Sequence, residues 1–205
     1  MAIPGLLIEY LISGALALLW LAPVLDLTYT RIESAHLALL ALGLYVVGMA
    51  VDFVAFLCLS PFKASIRRAV SQERTRAHGS PIRYWLAIMK ELVTGSFRRL
   101  PPRVGGGVTA RQIKFALHAP EVAKEAAMRS SRDRIARGAL VNAVIATFFL
   151  DVIGQYYGKS ITYWSWAAVI AFLLAMWAVF EGMSYSYDTR AEEAVDEKLR
   201  AKKTE

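Results

Sequence analysis

Sulfur and imidazole are scarce in this chain, and each scarcity closes a route to function. The single cysteine, Cys58, excludes an intrachain disulfide, and its place inside an apolar run reads as a small buried hydrophobe. His36, His78 and His118 are widely separated and form no HExxH or comparable pair, so no metal centre is expected. The Gly105–Gly107 triplet lacks the Lys-Ser/Thr that would make it a phosphate loop, and no serine sits in a nucleophile elbow. Paired aspartates of the CDP-alcohol phosphotransferase type and the Arg/His pattern of lipid phosphatases are also missing. No catalytic residue and no cofactor is expected on these grounds. Basic residues are absent before Arg31, and Glu9 is the first charged side chain, which argues against a cleavable signal and for a retained first helix.

What the chain does have is long apolar stretches. Residues 3–25, 37–59, 139–157 and 161–183 each approach the ~20 residues that carry an α-helix across a ~30 Å hydrocarbon core. Hydrophobic residues make up 56% of the sequence, high for a water-soluble domain of 205 residues. The fold expected is an all-α membrane protein of four transmembrane helices, with a basic helical insertion between helices two and three. The chain then divides into a first hairpin (1–60), the insertion (61–137), a second hairpin (138–187) and a charged tail (188–205).

Charge sets the orientation. Residues 61–137 hold 17 Lys/Arg against 5 Asp/Glu, an excess of about 12, although the whole chain is only +7. Lys/Arg-rich flanks stay in the cytoplasm. The insertion and both termini are therefore expected inside, and the connectors 26–36 and 158–160 outside, in the inner membrane of a bacterium. Tyr156, Tyr157, Tyr163, Trp164 and Trp166 cluster around the second connector, as interfacial aromatics do.

Within the insertion, Ile82, Trp85, Leu86, Met89, Leu92, Val93, Phe97 and Leu100 recur at helical spacing and predict one apolar stripe over residues 81–100. Arg83, Lys90, Arg98 and Arg99 flank it. A basic helix bearing Trp85 and Phe97 suits an in-plane position on the anionic inner leaflet, or the docking face of a protein subunit. Stacking and phosphate contacts to nucleic acid are disfavoured, because the stripe already accounts for the aromatics. Further on, Thr109-Ala-Arg-Gln112 reads as a capping box opening a short helix that Ala119-Pro120 closes. Pro120 then starts a helix expected to run unbroken into span three. In the tail, Asp196 and Arg200 stand at i,i+4 spacing.

Ionisable groups inside spans are costly and face the bundle interior. Glu9, Asp52, Asp151 and Glu181 are the four here, with Asn142 at about the depth of Glu9. Glu9, Asp52, Asn142 and Glu181 are expected to form a polar cluster in the inner half of the bundle, with Asp151 towards the outside. One reading makes the cluster a proton or cation pathway. The other ties the carboxylates to Lys63, Arg134 or Arg137 as structural pairs. If Asp52 is structural, its neutralisation is expected to leave assembly equal or better. The function expected first is a non-enzymatic subunit of a larger envelope assembly for secretion, transfer, transport or defence. A small ion-conducting homo-oligomer is the rival, and a lipid-modifying enzyme is a weaker one.

Overall fold

A computed structural model of the chain describes the backbone of residues 3–25, 34–75 and 108–204. The described residues hold no strand and form six helices. They are α1 (Ile3–Val24), α2 (Ser34–Thr75), α3 (Val108–His118), α4 (Pro120–Thr147), α5 (Leu150–Tyr157) and α6 (Tyr163–Thr204). The stripe over 81–100, with Arg83, Trp85, Lys90, Phe97, Arg98 and Arg99, lies outside the described residues.

Three helices are long and apolar enough to cross a membrane, through Leu7–Val24, Leu39–Ser60 and α6, and the α4–α5 pair makes a fourth if its bent halves form one span. Large apolar side chains on these stretches point outward: Leu42 is 61% exposed, Phe53 63% and Phe172 64%. Water would penalise that surface, whereas lipid tails are as apolar as leucine. The chain is a multi-pass membrane protein whose described residues are helical, without a strand.

Helix ends depart from the expected spans where helix propensity outlasts hydrophobicity. The apolar window of α2 stops at Ser60, but the helix continues through Pro61 to Thr75. The tail likewise stays helical, α6 running to Thr204. Each of these helices has 42 residues, about 63 Å of rise, well beyond what a ~30 Å core requires. Ala119 does separate two helices, with α3 starting one residue before Thr109 and α4 starting at Pro120. Cys58 is exposed rather than buried, on the outward side of α2.

The described helices divide into two compact units, Met1–Ser60 with Arg134–Trp177, and Pro61–Asp133 with Ala178–Glu205. In the first unit α1 and α2 run antiparallel and touch backbone to backbone. A Cβ on Gly14 would lie 1.9 Å from the Leu44 carbonyl oxygen, and one on Gly48 would lie 1.9 Å from that of Tyr10. Only glycine fits at these two places, and the Tyr10 and Tyr45 rings meet edge-on at 5.6 Å beside them. α4 runs alongside α1 in the same direction. Gly138 abuts Ser13, where a Cβ would fall 2.6 Å from Oγ, and Phe149 stacks on Trp20 at 6.0 Å.

The main departure is in span three. Residues 139–157 are not one helix: α4 and α5 meet at 88° across Phe148 and Phe149. Side-chain donors gather on the last turn of α4, just before the break. Thr147 Oγ donates to the Ala143 carbonyl at 3.0 Å, and the Trp166 indole N–H donates to the same carbonyl and to Thr147 Oγ, both at 3.1 Å. The next amides tighten to three-residue bonds, Phe148 to Ile145 and Phe149 to Ala146. α5 then ends on Gly158 at φ 65°, with the Gly158 and Lys159 amides bonded to the Gln155 and Gly154 carbonyls.

In the second unit Phe115 of α3 is buried against Ala191 and Val195 of α6, with Val122, Ala126 and Leu199 around it. Lys114 pairs with Asp196, which takes a cation from another helix in addition to the neighbouring Arg200 anticipated on its own. The Arg129 guanidinium lies 4.4 Å above the Tyr187 ring.

Candidate functional site: charge pairs in the bundle

The polar groups of the first unit are held by α4. Arg134 and Arg137 stand three residues apart, so they share a face and present two cations to their neighbours. α1 and α2 answer with one carboxylate each. Arg134 Nε lies 2.5 Å from Glu9 Oε2 in an ion pair, and its Nη2 lies 3.4 Å from Oε1. Arg137 pairs with Asp52 and sits 5.9 Å from the centre of the Phe56 ring. Glu9 and Arg137 are each only 5% exposed. An isolated charge there would carry a desolvation penalty of several kcal/mol, roughly, which its partner offsets. The four charges sum to zero.

Asn142 adds a neutral tie on the same helix. Its Nδ2 donates to the Ser13 carbonyl at 2.9 Å, and its Oδ1 accepts from the Trp20 indole at 3.0 Å. Three helical segments are thus pinned by hydrogen bonds and ion pairs in one unit. Asp151 stands apart from them. It is exposed at the start of α5, with the Tyr163 hydroxyl 3.4 Å from both of its oxygens.

Glu181, grouped with Glu9, Asp52 and Asn142 by its place in the sequence, belongs to the second unit. It is 3% exposed and receives two cations from α2, Lys63 Nζ at 2.9 Å and Arg67 Nε at 2.7 Å. Lys63 also reaches Asp133 Oδ2 at 2.8 Å, and Arg67 lies 5.7 Å from the centre of the Tyr185 ring. This second set again balances two carboxylates against two cations. Asp133 is the member that sequence reasoning passed over, and Arg67, expected only as a cytoplasmic anchor after span two, proves to pair with Glu181. The available signal was the four-residue spacing of Lys63 and Arg67, which puts both on one side of α2.

Each carboxylate of the two sets is occupied by a guanidinium or ammonium from a different helix, so exchange of a bound ion would require breaking that pair. No group of three or more histidine, cysteine, aspartate or glutamate side chains suited to a metal occurs among the described residues. Comparison of the chain with protein-family models, curated proteins and solved structures found no match.

Proposed function

We propose that this chain is a non-enzymatic, multi-pass subunit of a larger envelope assembly serving secretion, transfer, transport or defence. It resides in a bacterial inner membrane with both termini cytoplasmic. In this reading the basic segment 61–137, including Arg83, Trp85, Lys90, Phe97, Arg98 and Arg99, docks a protein subunit or the anionic inner leaflet. One observation carries the reading: Glu9, Asp52 and Glu181 are all engaged by cations of neighbouring helices. Carboxylates committed to holding helices together are poor carriers of a mobile ion. The business of such a protein falls to its surfaces.

The test is purification in mild detergent at native expression, with identification and stoichiometry of whatever remains bound. Fixed-ratio recovery of the same partner subunits supports the proposal. A clean homo-oligomer that conducts ions in reconstituted vesicles, with flux abolished in an Asp52→Asn variant that still assembles as the parent does, would establish the ion-conducting rival instead.

A further inference from the structure

We propose that the elbow between α5 and the start of α6 is a headgroup site for a zwitterionic phospholipid carrying phosphoethanolamine. The elbow encloses an open cleft of about 580 Å³ lined by Leu150, Asp151, Gly154, Gln155, Lys159 and Ser160, among others. The cleft lies wholly within the first unit, and its chemistry is that of a zwitterion. Asp151 offers a carboxylate to an ammonium, and Lys159 and Ser160 offer donors to a phosphodiester. Its walls are built. The Gly158 turn fixes Lys159 by its amide to the Gly154 carbonyl at 2.9 Å, and the Tyr163 hydroxyl sits beside Asp151.

Position identifies the occupant as a lipid. α4 follows α1 along the span and α5 leaves it at 88°; where the α4–α5 pair makes one crossing, α5 lies across the end of the bundle at the membrane surface, and the inference rests on that crossing. Tyr157, Tyr163 and Trp164 are 47%, 60% and 85% exposed there, at the level where amphipathic rings collect. Phe148, 81% exposed, and Val152, 43% exposed, continue the surface with apolar side chains suited to acyl chains. An anionic lipid would leave Asp151 facing like charge. A choline headgroup cannot donate hydrogen bonds to it. Phosphoethanolamine satisfies both ends of the cleft. The inference needs the chain to cross a membrane and is independent of the assembly reading.

The experiment is native mass spectrometry of the full chain in detergent, with phosphatidylethanolamine, phosphatidylglycerol or phosphatidylcholine added at equal concentration. The ethanolamine lipid is expected to be retained best. Asp151→Asn and Lys159→Gln should each weaken its retention by about fivefold, the worth of one exposed charged contact. Both side chains are exposed, so the thermal unfolding of the two variants should match the parent and rule out misfolding as the cause. Equal retention of all three lipids, or retention indifferent to both substitutions, would overturn the site. Displacement of the lipid by an equal concentration of free phosphoethanolamine would overturn the lipid as occupant.

Discussion

At the scale of single residues, two glycines and one ion pair carry consequences that composition could not rank. Gly14 and Gly48 sit where α1 and α2 touch, whereas a Cβ at Gly43 meets nothing within 4 Å. Alanine at position 14 or 48 must therefore push the helices apart, and each change should cost about 1–3 kcal/mol, as overpacking does. Gly43→Ala should leave thermal unfolding in detergent unchanged. Equal losses at all three positions would mean that α1 and α2 do not cross at Gly14 and Gly48. The pairing of Asp52 with Arg137 reverses an expectation drawn from sequence. Alone, Asp52 would be better neutralised; paired, its conversion to asparagine strands Arg137, which is 5% exposed. Asp52→Asn, which leaves the buried Arg137 unpaired, should destabilise by about 3–5 kcal/mol, whereas Arg137→Gln, which leaves a carboxylate 18% exposed, should cost less. The double substitution should cost less than the sum. A double-mutant cycle on unfolding reads this directly, and strict additivity would show that the two residues do not interact.

At the scale of elements, the decisive feature is the break after α4. Trp166→Phe removes the indole donor from the Ala143 carbonyl and Thr147 Oγ, and Thr147→Val removes the hydroxyl they share. Each should lower stability by about 1 kcal/mol, the usual net worth of a hydrogen bond. The combined loss should fall short of the sum, since both substitutions dismantle one network. Unfolding of the single and double variants checks both statements. Nothing in the local sequence announces this break. Thr147-Phe-Phe149 contains no glycine or proline, and the indole that meets the last turn of α4 comes from another helix. By contrast the α3–α4 boundary was legible because Pro120 acts through its own backbone. Pro61 shows the limit of that rule: the helix passes through it, so a lost amide donor did not suffice to end α2. The four carboxylates were legible as costly. Which cation answered Glu9, Asp52 and Glu181 was not, because pairing depends on helix rotation and direction, which apolar periodicity leaves open; Asp151 meets the Tyr163 hydroxyl instead.

At the scale of the whole molecule, the open quantity is the number of crossings, and parity makes it measurable. Counting the described helices, three crossings place the two termini on opposite sides of the membrane, and four place them on the same side. The bent α4–α5 pair decides between these counts. Within the first unit α4 keeps pace with α1: Arg134 lies beside Glu9, Gly138 beside Ser13 and Phe149 beside Trp20. The apolar window of α1 ends at Val24, four residues beyond Trp20. α4 therefore reaches the far boundary before it bends, and the pair should count as one complete crossing with α5 at the surface. Reporter fusions after Ser34, Gly105, Ser160 and Glu205 should then read outside, inside, outside and inside. The Lys/Arg excess of residues 61–137 sets the absolute sign through the preference of basic loops for the cytoplasm. A re-entrant pair would instead return Ser160 to the side of Gly105 and carry Glu205 to the opposite side. Those two fusions thus test the crossing, whereas the Gly105 fusion alone tests the orientation.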